Sequence, residues 1–312
     1  MLKYVLKRLG YILVTLWVIV TCTFFMMKNL PGTPFDAERF SIMTPQQQER
    51  VLEMYGLNDS LPMQYVKYIK NMLKGDLGTS FTYVNQDVSK VITGRLGPSA
   101  LIGMQAVLIG LAIGLILGIL AAWKHNSGID YFTMILAVLG VSVPNFVAAA
   151  LLQYYIGLKW GALPVGFWTG WNCSVLPSIA LSFSATAMVA RFMRTEMLDV
   201  LDQDYIVTAR AKGLSQMKVL MRHAVRNSIL PVVTILGPIV VNLMTGSLAV
   251  ENIFSIPGIG SLFVDCIKAN DYPVIMGITI FYAAFYMLIV LLVDLAYSLI
   301  DPRIRLAKGK ES

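Results

Sequence analysis

Six long apolar stretches divide the chain. They are Leu9–Met27, Ser99–Trp123, Tyr131–Leu158, Val175–Met193, Ile229–Val250 and Pro273–Ile300. A helix rises about 1.5 Å per residue, so about 20 mostly apolar residues cross the hydrocarbon core of a bilayer. Each stretch is about that long or longer. The pattern therefore predicts an all-α integral membrane protein with about six transmembrane helices.

The composition supports this class. Hydrophobic residues make up 56% of the 312 residues and charged residues 14%, whereas soluble domains carry about 45–50% apolar and about 25% charged residues. Apolar surface on this scale needs lipid, because a chain of this length cannot build a core large enough to bury it. A soluble globular protein is therefore excluded.

The first apolar stretch resembles the core of a signal peptide, because Lys3, Lys7 and Arg8 precede it. It is longer than such a core, however, and no small-residue cleavage site follows it. We therefore expect residues 1–30 to form a retained transmembrane helix.

Lysine and arginine are distributed unevenly between the two sides of the membrane. With the N-terminus inside, the inner segments hold fifteen of them, and the two short outer loops hold only Lys159 and Lys268. The fifteen are Lys3, Lys7, Arg8, Lys124, Arg191, Arg194, Arg210, Lys212, Lys218, Arg222, Arg226, Arg303, Arg305, Lys308 and Lys310. Because basic residues accumulate in cytoplasmic loops, both termini are predicted to be cytoplasmic. The net charge of +7 is then mostly a topology signal, and we expect no nucleic-acid partner.

Residues 31–97 form the one sizeable polar insertion, on the outer side. Pro31–Pro34 predicts a turn. Thr44 is predicted to cap a helix that begins at the next residue. A second, amphipathic helix is predicted over Met63–Leu73. We predict a small, mostly helical extracytoplasmic subdomain; a lid over the pore is an alternative that its residues leave open. The remainder is predicted to form a five-helix core, residues 98–300, and a cytoplasmic tail, residues 301–312.

Residues that carry chemistry are sparse. Two histidines and three cysteines without a CxxC pair predict no metal site. Cys173 and Cys266 are both placed in outer loops, where they either form a disulfide or remain two thiols. The chain has no GxxxxGK[ST] loop for ATP phosphates, no His-Glu-x-x-His and no nucleophile elbow. We therefore expect no catalytic residue and no cofactor, and an energy source on another chain.

A glycine stripe marks one helix surface for close packing. Gly110, Gly114 and Gly118 repeat every four residues in the second apolar stretch. Small residues at this spacing let another helix backbone approach closely within a membrane. The stripe is either a static packing surface or one that slides during gating.

Prolines and one acid interrupt the apolar stretches. Pro144 breaks the third stretch, and two prolines in the fifth are expected to kink it. Asp294 lies near the inner end of the last stretch, where a base such as Arg191 or Arg194 can pair with it.

The longest predicted inner loop is Arg194–Ser228, between the fourth and fifth apolar stretches. Tyr205–Lys212 can form a short helix, which Gly213 ends by adopting a positive φ. Ser215 can cap a second helix. The loop is either a rigid handle that a cytoplasmic partner moves or a membrane-surface loop without a partner.

The second helix of this loop is predicted to be amphipathic, with an apolar face and a basic stripe on different sides. The apolar face consists of Met217, Leu220, Met221 and Ala224, and the basic stripe of Lys218, Arg222 and Arg226. Such a helix suits the inner surface of a membrane.

The inner loop also carries a family resemblance. It contains DYIVTARAKG at Asp204–Gly213, followed by Arg222-His223-Ala224 and Leu230-Pro231. Further motifs are Pro31-Gly32, Tyr55-Gly56-Leu57, Gly75-Asp76-Leu77-Gly78, Ser142-Val143-Pro144, Glu251–Gly260, Asp271-Tyr272-Pro273 and Asp301-Pro302-Arg303. Over nearly the whole chain these resemble permease subunits of bacterial ABC importers, most of all the dipeptide/oligopeptide/nickel family. Met26-Met27 and Thr245-Gly246-Ser247 are most similar to the oligopeptide branch.

The loop departs from the general importer motif in one respect. Val207-Thr208-Ala209 replaces the usual Glu-Ala-Ala, and Leu230-Pro231 follows Gly213 at a longer distance than usual. This longer form resembles the loop of the peptide branch.

The resemblance implies a type I ABC importer permease fold in a bacterial cytoplasmic membrane. It implies that Tyr205–Leu214 docks as a coupling helix on a cytoplasmic ATPase subunit. The residues assigned to this coupling are Tyr205, Ala209, Arg210, Ala211, Lys212, Gly213 and Leu214. The implied partners, besides the lipid bilayer, are a second homologous permease subunit, two cytoplasmic ABC ATPase subunits and an extracytoplasmic solute-binding protein.

The function that the resemblance implies is oligopeptide import by alternating access, driven by separate ATPase subunits. Within the same family, nickel or another small solute is the alternative cargo, and the scarcity of polar residues in the spans favours peptides. A secondary transporter would instead carry solute without ATP. A membrane enzyme would need clustered ionisable residues at one membrane face, which the sequence does not show.

Overall fold

The computed structural model describes residues 2–29, 40, 42–54, 56–83 and 86–300, and most of these are helical. The helices are α1 (Leu2–Lys28), α2 (Pro45–Met54), α3 (Leu61–Met72), α4 (Val88–Trp123), α5 (Gly128–Ser142), α6 (Asn145–Leu152), α7 (Val175–Leu201), α8 (Asp204–Ala211), α9 (Gln216–Val219), α10 (Arg226–Met244), α11 (Leu248–Ile253), α12 (Ile259–Lys268) and α13 (Tyr272–Ile300). Two π-helices, Gln153–Lys159 and Leu220–Val225, and one 3-10 turn, Trp171–Ser174, connect some of them. The predicted all-α class is confirmed.

Within the described residues, five helical stretches are long and apolar enough to cross a membrane. They are Leu6–Lys28, Val88–Trp123, Trp171–Leu201, Gln216–Ile253 and Tyr272–Leu295. The pair Gly128–Ser142 and Asn145–Lys159 passes the same test together, although its halves meet at 100°. Counted as one span, this bent pair gives the six spans that the hydrophobic pattern predicts.

Pro144 is the cause of the bend, as its position predicts. Val143, just before it, has extended backbone angles, φ −80° and ψ 118°, which the proline ring favours in its predecessor. By contrast, α10 stays helical through both Pro231 and Pro238. The expected interruption is therefore present in the third span, while the fifth remains one continuous helix.

The chain divides into two compact units. The first unit combines the part up to Gly97 with Gly258–Phe285, and the second combines Pro98–Pro257 with the part from Tyr286 onward. The predicted division, with one continuous core over residues 98–300, stays a prediction. The predicted turn at Pro31–Pro34 and the predicted tail, residues 301–312, lie outside the described residues.

In the first unit, the outer insertion contains both predicted helices. Thr44 caps α2, because its Oγ1 accepts the Gln47 N–H at 3.4 Å while Gln47 Oε1 accepts the Thr44 N–H at 2.9 Å. The amphipathic segment is α3, and its Tyr65 packs on α1. The Tyr65 ring lies 5.3 Å from that of Phe24, and its hydroxyl lies 2.7 Å from Thr21 Oγ1. The insertion is thus attached to the first span.

Asp271 fastens an outer loop to the start of α13. The side chain is fully buried. Its Oδ2 accepts hydrogen bonds from the Ser80 hydroxyl at 2.5 Å and the Thr82 N–H at 3.0 Å, and its Oδ1 accepts one from the Phe81 N–H at 3.2 Å. Oδ1 also accepts the Val274 N–H at 3.5 Å. One carboxylate therefore satisfies four donors, three of them on the backbone.

The cysteines are free thiols, so the two-thiol alternative holds for Cys173 and Cys266. Cys266 belongs to the core of the first unit, with Val88, Leu262 and Ile278. Burial, with the nearby Asp271 charge, raises the pKa of this thiol to about 12. It therefore stays protonated and unreactive at neutral pH.

In the second unit, α7 is the central helix. α5, α6 and α10 all pack against it, and its Leu176, Val189, Met193 and Met197 are at most 1% exposed. These side chains form the main core together with residues of α4, α10 and α11. The inner loop predicted to begin at Arg194 begins later in the structure, because Arg194–Leu201 are the last two turns of this helix.

We expect Asp271→Ala to destabilise the first unit, because it leaves four donors, all directed at one buried site, without their acceptor. The loss should be about 3 kcal/mol, the upper range for buried hydrogen-bonding groups left unpaired. The measurement is the thermal unfolding midpoint of the detergent-purified protein. Asp265→Ala removes the same charge from an exposed position on α12 and should leave the midpoint unchanged; equal midpoints for both variants would contradict the expectation.

Candidate functional site

The inner segment, residues 194–228, contains the turn that the sequence predicts. α8 follows α7 after a two-residue turn. Beyond α8, Gly213 has a φ of 76°. Its N–H donates to the Arg210 carbonyl at 2.9 Å, and the Leu214 N–H donates to the Ala209 carbonyl at 3.4 Å. These bonds close the end of α8, and the predicted positive φ is confirmed.

A small core of its own holds α8 in place. Ile206 is fully buried and Ala209 is 6% exposed, and both pack with Val219 of α9. Leu201 and Leu214 cover the edge of this core. Ala209 thus packs inside its own chain, and the contact with an ATPase that the resemblance assigns to it remains a prediction.

The other face of α8 is exposed, and we name it the coupling surface. It consists of Tyr205, Val207, Arg210, Ala211 and Lys212. Tyr205 is 42% exposed and Val207 58%, so large apolar groups stand beside two positive charges.

The Tyr205 ring is also tied to the fifth span. Its hydroxyl accepts a hydrogen bond from the Asn227 amide nitrogen at 3.1 Å. Asn227 lies in the first turn of α10. Two contacts therefore hold the coupling surface to the rest of the chain: the small core around Ile206 and Ala209, and this hydrogen bond.

The second predicted helix is present, but its pitch changes. α9 passes into the π-helix Leu220–Val225 before α10 begins. A π-helix holds more residues per turn than an α-helix, so faces predicted from α-helical spacing do not persist. Leu220 and Ala224 are buried, whereas Met217 and Met221 are 51% and 53% exposed. Of the four residues predicted to share one apolar face, two are thus buried within the chain and two are exposed.

For this second helix the sequence also predicts a cap at Ser215 and a basic stripe. Ser215 stands at the cap position, but its side chain makes no capping hydrogen bond. Lys218, Arg222 and Arg226 are all exposed, which suits the basic surface predicted for them.

The glycine stripe of α4 lies directly against α7. A Cβ atom built at any of its three glycines would lie 2.6–2.7 Å from an atom of α7. The nearest atoms are Ala185 Cβ for Gly110, Val189 Cβ for Gly114 and the Ala190 carbonyl oxygen for Gly118. Only glycine allows this approach, so α4 is packed onto the helix that leads into α8. The static and the sliding interpretation of this contact both stay predictions.

An apolar groove of about 700 Å³ lies in the second unit beside the bend at Pro144. α4, α5, α6 and α7 form its walls, and Thr133, Ser182 and Thr186 are the hydroxyl-bearing residues among them. Among the described residues that line it, none is charged. Hydropathy alone gave no signal for this groove, because its walls come from helices distant in sequence.

Sequence reasoning also missed a buried ion pair near the inner ends of α5 and α7. Asp130 is 2% exposed. Its Oδ1 accepts a bond from Arg194 Nε at 2.5 Å, and its Oδ2 accepts bonds from Arg194 Nη2 at 2.8 Å and the Asn126 N–H at 3.0 Å. His125 Nδ1 lies 3.1 Å from Oδ2.

A sequence signal for this pair existed. Asp130 is the only acidic residue between Asp87 and Glu196, so a lone carboxylate at the end of an apolar stretch needed a partner. Arg194 is one of the two bases that the sequence offers as partners for Asp294. In the structure Arg194 binds Asp130 instead.

Comparison with known proteins identifies the family. The family described as "Binding-protein-dependent transport system inner membrane component" matches residues 114–306. A related description, "Binding-prot-dependent transport system membrane comp, N-term", matches residues 1–96. The chain belongs to this family of binding-protein-dependent permeases. The family resemblance stated from the motifs is confirmed.

Relatives match this permease over nearly its whole length. The dipeptide transport system permease protein DppB of Lactococcus lactis is 46% identical over 98% of this chain and 100% of its own. DppB of Bacillus subtilis is 43% identical over 99% of each chain. The oligopeptide transport system permease protein OppB of Escherichia coli K12 is 38% identical over 98% of this chain and 100% of its own.

A solved structure shares the fold. A chain from the crystal structure of an amino acid ABC transporter superposes with a TM-score of 0.51 at 20% identity, covering 69% of this permease and 94% of that chain. The predicted ABC importer permease fold is thereby confirmed. This permease is a multi-pass protein of the cytoplasmic membrane. It is a non-catalytic component that works with an ATPase, which is a separate subunit, and a binding protein.

We expect Gly114→Ala to weaken the contact between α4 and α7. The added methyl would lie 2.7 Å from Val189 Cβ and 2.9 Å from the Thr186 carbonyl oxygen, and such overpacking costs about 1–3 kcal/mol. The thermal unfolding midpoint of the purified permease should fall accordingly. Gly10→Ala is the matched control within another span, because no atom lies within 4 Å of its Cβ position. A midpoint lowered equally in both variants would contradict close packing as the cause.

Proposed function

We propose that this permease imports peptides and that ATP hydrolysis moves it through the coupling surface. In the complete transporter it pairs with a second, homologous permease subunit. Two ABC ATPase subunits bind on the cytoplasmic side, and an extracytoplasmic solute-binding protein delivers the peptide. The bundle then alternates between outward and inward access.

The cargo proposal rests on the relatives. Those named above are dipeptide and oligopeptide permeases at 38–46% identity, matched over 98–99% of this chain. The uncharged lining of the groove also suits a cargo recognised with little sequence specificity. Nickel or another small solute is the alternative within the family.

The coupling proposal rests on one observation, namely that a firmly held short helix exposes an apolar and basic surface. A lever transmits force only if its base is rigid, and Ile206, Ala209 and Val219 supply such a base because each is at most 6% exposed. Tyr205 and Val207 offer apolar contact area, and buried apolar area stabilises most protein–protein contacts.

The seven residues assigned to coupling then divide into three roles. Tyr205, Arg210, Ala211 and Lys212 face the ATPase, and the two bases bind acidic groups on it. Ala209 and Leu214 hold α8 on its own chain. Gly213 makes the turn that sets the direction of α8. Only the first role requires direct contact with the partner.

We expect Gly213→Val to uncouple ATP hydrolysis from peptide uptake. Space is not the constraint, since no atom lies within 4 Å of the Cβ position. The constraint is the φ of 76°, because a left-handed conformation costs an ordinary residue about 1–2 kcal/mol and a β-branched one more. Peptide imported per ATP hydrolysed should fall at least about fivefold, measured in proteoliposomes containing the assembled transporter.

Gly213→Asn is the matched control. Asparagine tolerates this conformation, and in this chain Asn126 and Asn270 already adopt φ values of 57° and 54°. The asparagine variant should keep the coupling ratio of the unmodified transporter. A valine variant that assembles and couples normally would refute the proposed role of the turn.

The cargo proposal has a direct test. Proteoliposomes containing the transporter, purified through a tag on this chain, should take up radiolabelled tripeptide or dipeptide when ATP is enclosed and the binding protein is added. They should not take up ⁶³Ni²⁺ under the same conditions. Uptake of nickel without peptide would overturn the cargo, and uptake by this chain alone, without ATP, would overturn the whole proposal.

A further inference from the structure

One carboxylate joins three segments of the second unit near the inner ends of α5 and α7. Asp130 belongs to the first turn of α5, and it binds Arg194 of α7 and the Asn126 N–H of the preceding loop. We propose that the Asp130–Arg194 pair is a clamp that makes α5 move with α7, so that motion received at the coupling surface reaches the bent third span. This inference rests on the proposed coupling function.

The geometry of the pair fixes orientation as well as distance. Arg194 uses two nitrogens, one on each carboxylate oxygen, at 2.5 and 2.8 Å. A two-point contact of this kind resists both sliding and rotation, which a single-point contact does not. The carboxylate is 2% exposed and the guanidinium 20%, so water competes little with the bond.

The rest of the interface between α5 and α7 lacks such directional bonds. Within the described residues, the side chains of these two helices make no other hydrogen bond or ion pair with each other. The close contact elsewhere is at Gly140, where a Cβ would lie 2.9 Å from Ala187 Cβ and 3.0 Å from the Phe183 carbonyl oxygen. Apolar contact holds two surfaces together but permits sliding, so the clamp is what fixes the register.

The position of the clamp links two functional parts. Arg194 lies two turns before the end of α7, from which α8 follows after two residues. Asp130 lies in the first turn of α5, the helix that ends at the 100° bend. Thr133, one turn beyond Asp130, and Ala190, one turn before Arg194, both line the apolar groove. The clamp therefore holds the two groove walls together next to their inner end.

Stability alone explains such a pair poorly. Replacing a buried ion pair by apolar side chains is often neutral or stabilising, whereas removing one partner is strongly destabilising. What an ion pair supplies that an apolar contact lacks is a fixed mutual geometry, and that is the property a transmitting contact requires.

The experiment compares four single variants in the assembled transporter, reconstituted with its binding protein and supplied with ATP and radiolabelled tripeptide. Asp130→Asn and Arg194→Gln each break the charge pair and should lower tripeptide imported per ATP hydrolysed at least about fivefold. Arg194→Lys keeps the charge but only one contact point, and should lie between these and the unmodified transporter. Arg191→Gln removes an exposed charge from the same helix, and its ratio should not change.

The ratio separates transmission from simple structural support. A variant that only lowers the amount of folded complex lowers uptake and ATP hydrolysis together and leaves their ratio unchanged, and that result for Asp130→Asn and Arg194→Gln would overturn the clamp. If Asp130→Asn yields no complex, the two Arg194 variants decide. Equal ratios of tripeptide imported to ATP hydrolysed for Arg194→Lys and Arg194→Gln would then reject the proposal.

Gly213→Val in the same series distinguishes the two proposals. If it uncouples while both charge-breaking variants keep the normal ratio, the clamp fails and the coupling function stands. If it keeps the normal ratio, the proposed coupling function itself fails.

Discussion

Close packing around α7 is the contact on which the second unit depends. Between helices in a bilayer the hydrophobic effect gives no driving force, so association relies on van der Waals contact and a few polar bonds. Gly114 brings the backbone of α4 against Val189 and Thr186 of α7, at distances that a single methyl group would disturb. The second unit therefore depends on glycine at these positions, whether the contact stays fixed or slides during transport.

Local patterns predicted much of the fold because they report local constraints. Span length and hydropathy located the six spans, Thr44 and Pro45 predicted a helix start, and Gly213 predicted the turn after α8. Each of these depends on residues within a few positions of one another. The motifs that indicate the family are short and contiguous as well, so they too can be recognised without knowledge of how distant segments pack.

The features that sequence reasoning missed involve longer distances or changes of pitch. Asp130 and Arg194 are 64 residues apart, and no local pattern states which base a lone acid will find. Met221 lies within a π-helix, whose wider turn α-helical spacing does not predict. The groove is formed by four helices together. The pairing of Asp130 and the shape of the groove depend on how distant segments pack, and neighbours in sequence do not specify that.

Met217 and Met221 have a consequence of their own. Methionine is unbranched, flexible and polarisable, and it fits irregular or changing surfaces better than branched apolar residues do. Two such side chains, exposed just after the turn at Gly213, form a compliant border beside the stiff α8. If an ATPase docks on α8 as proposed, this border lets it stay in contact with the permease in two shapes without any rearrangement of α8.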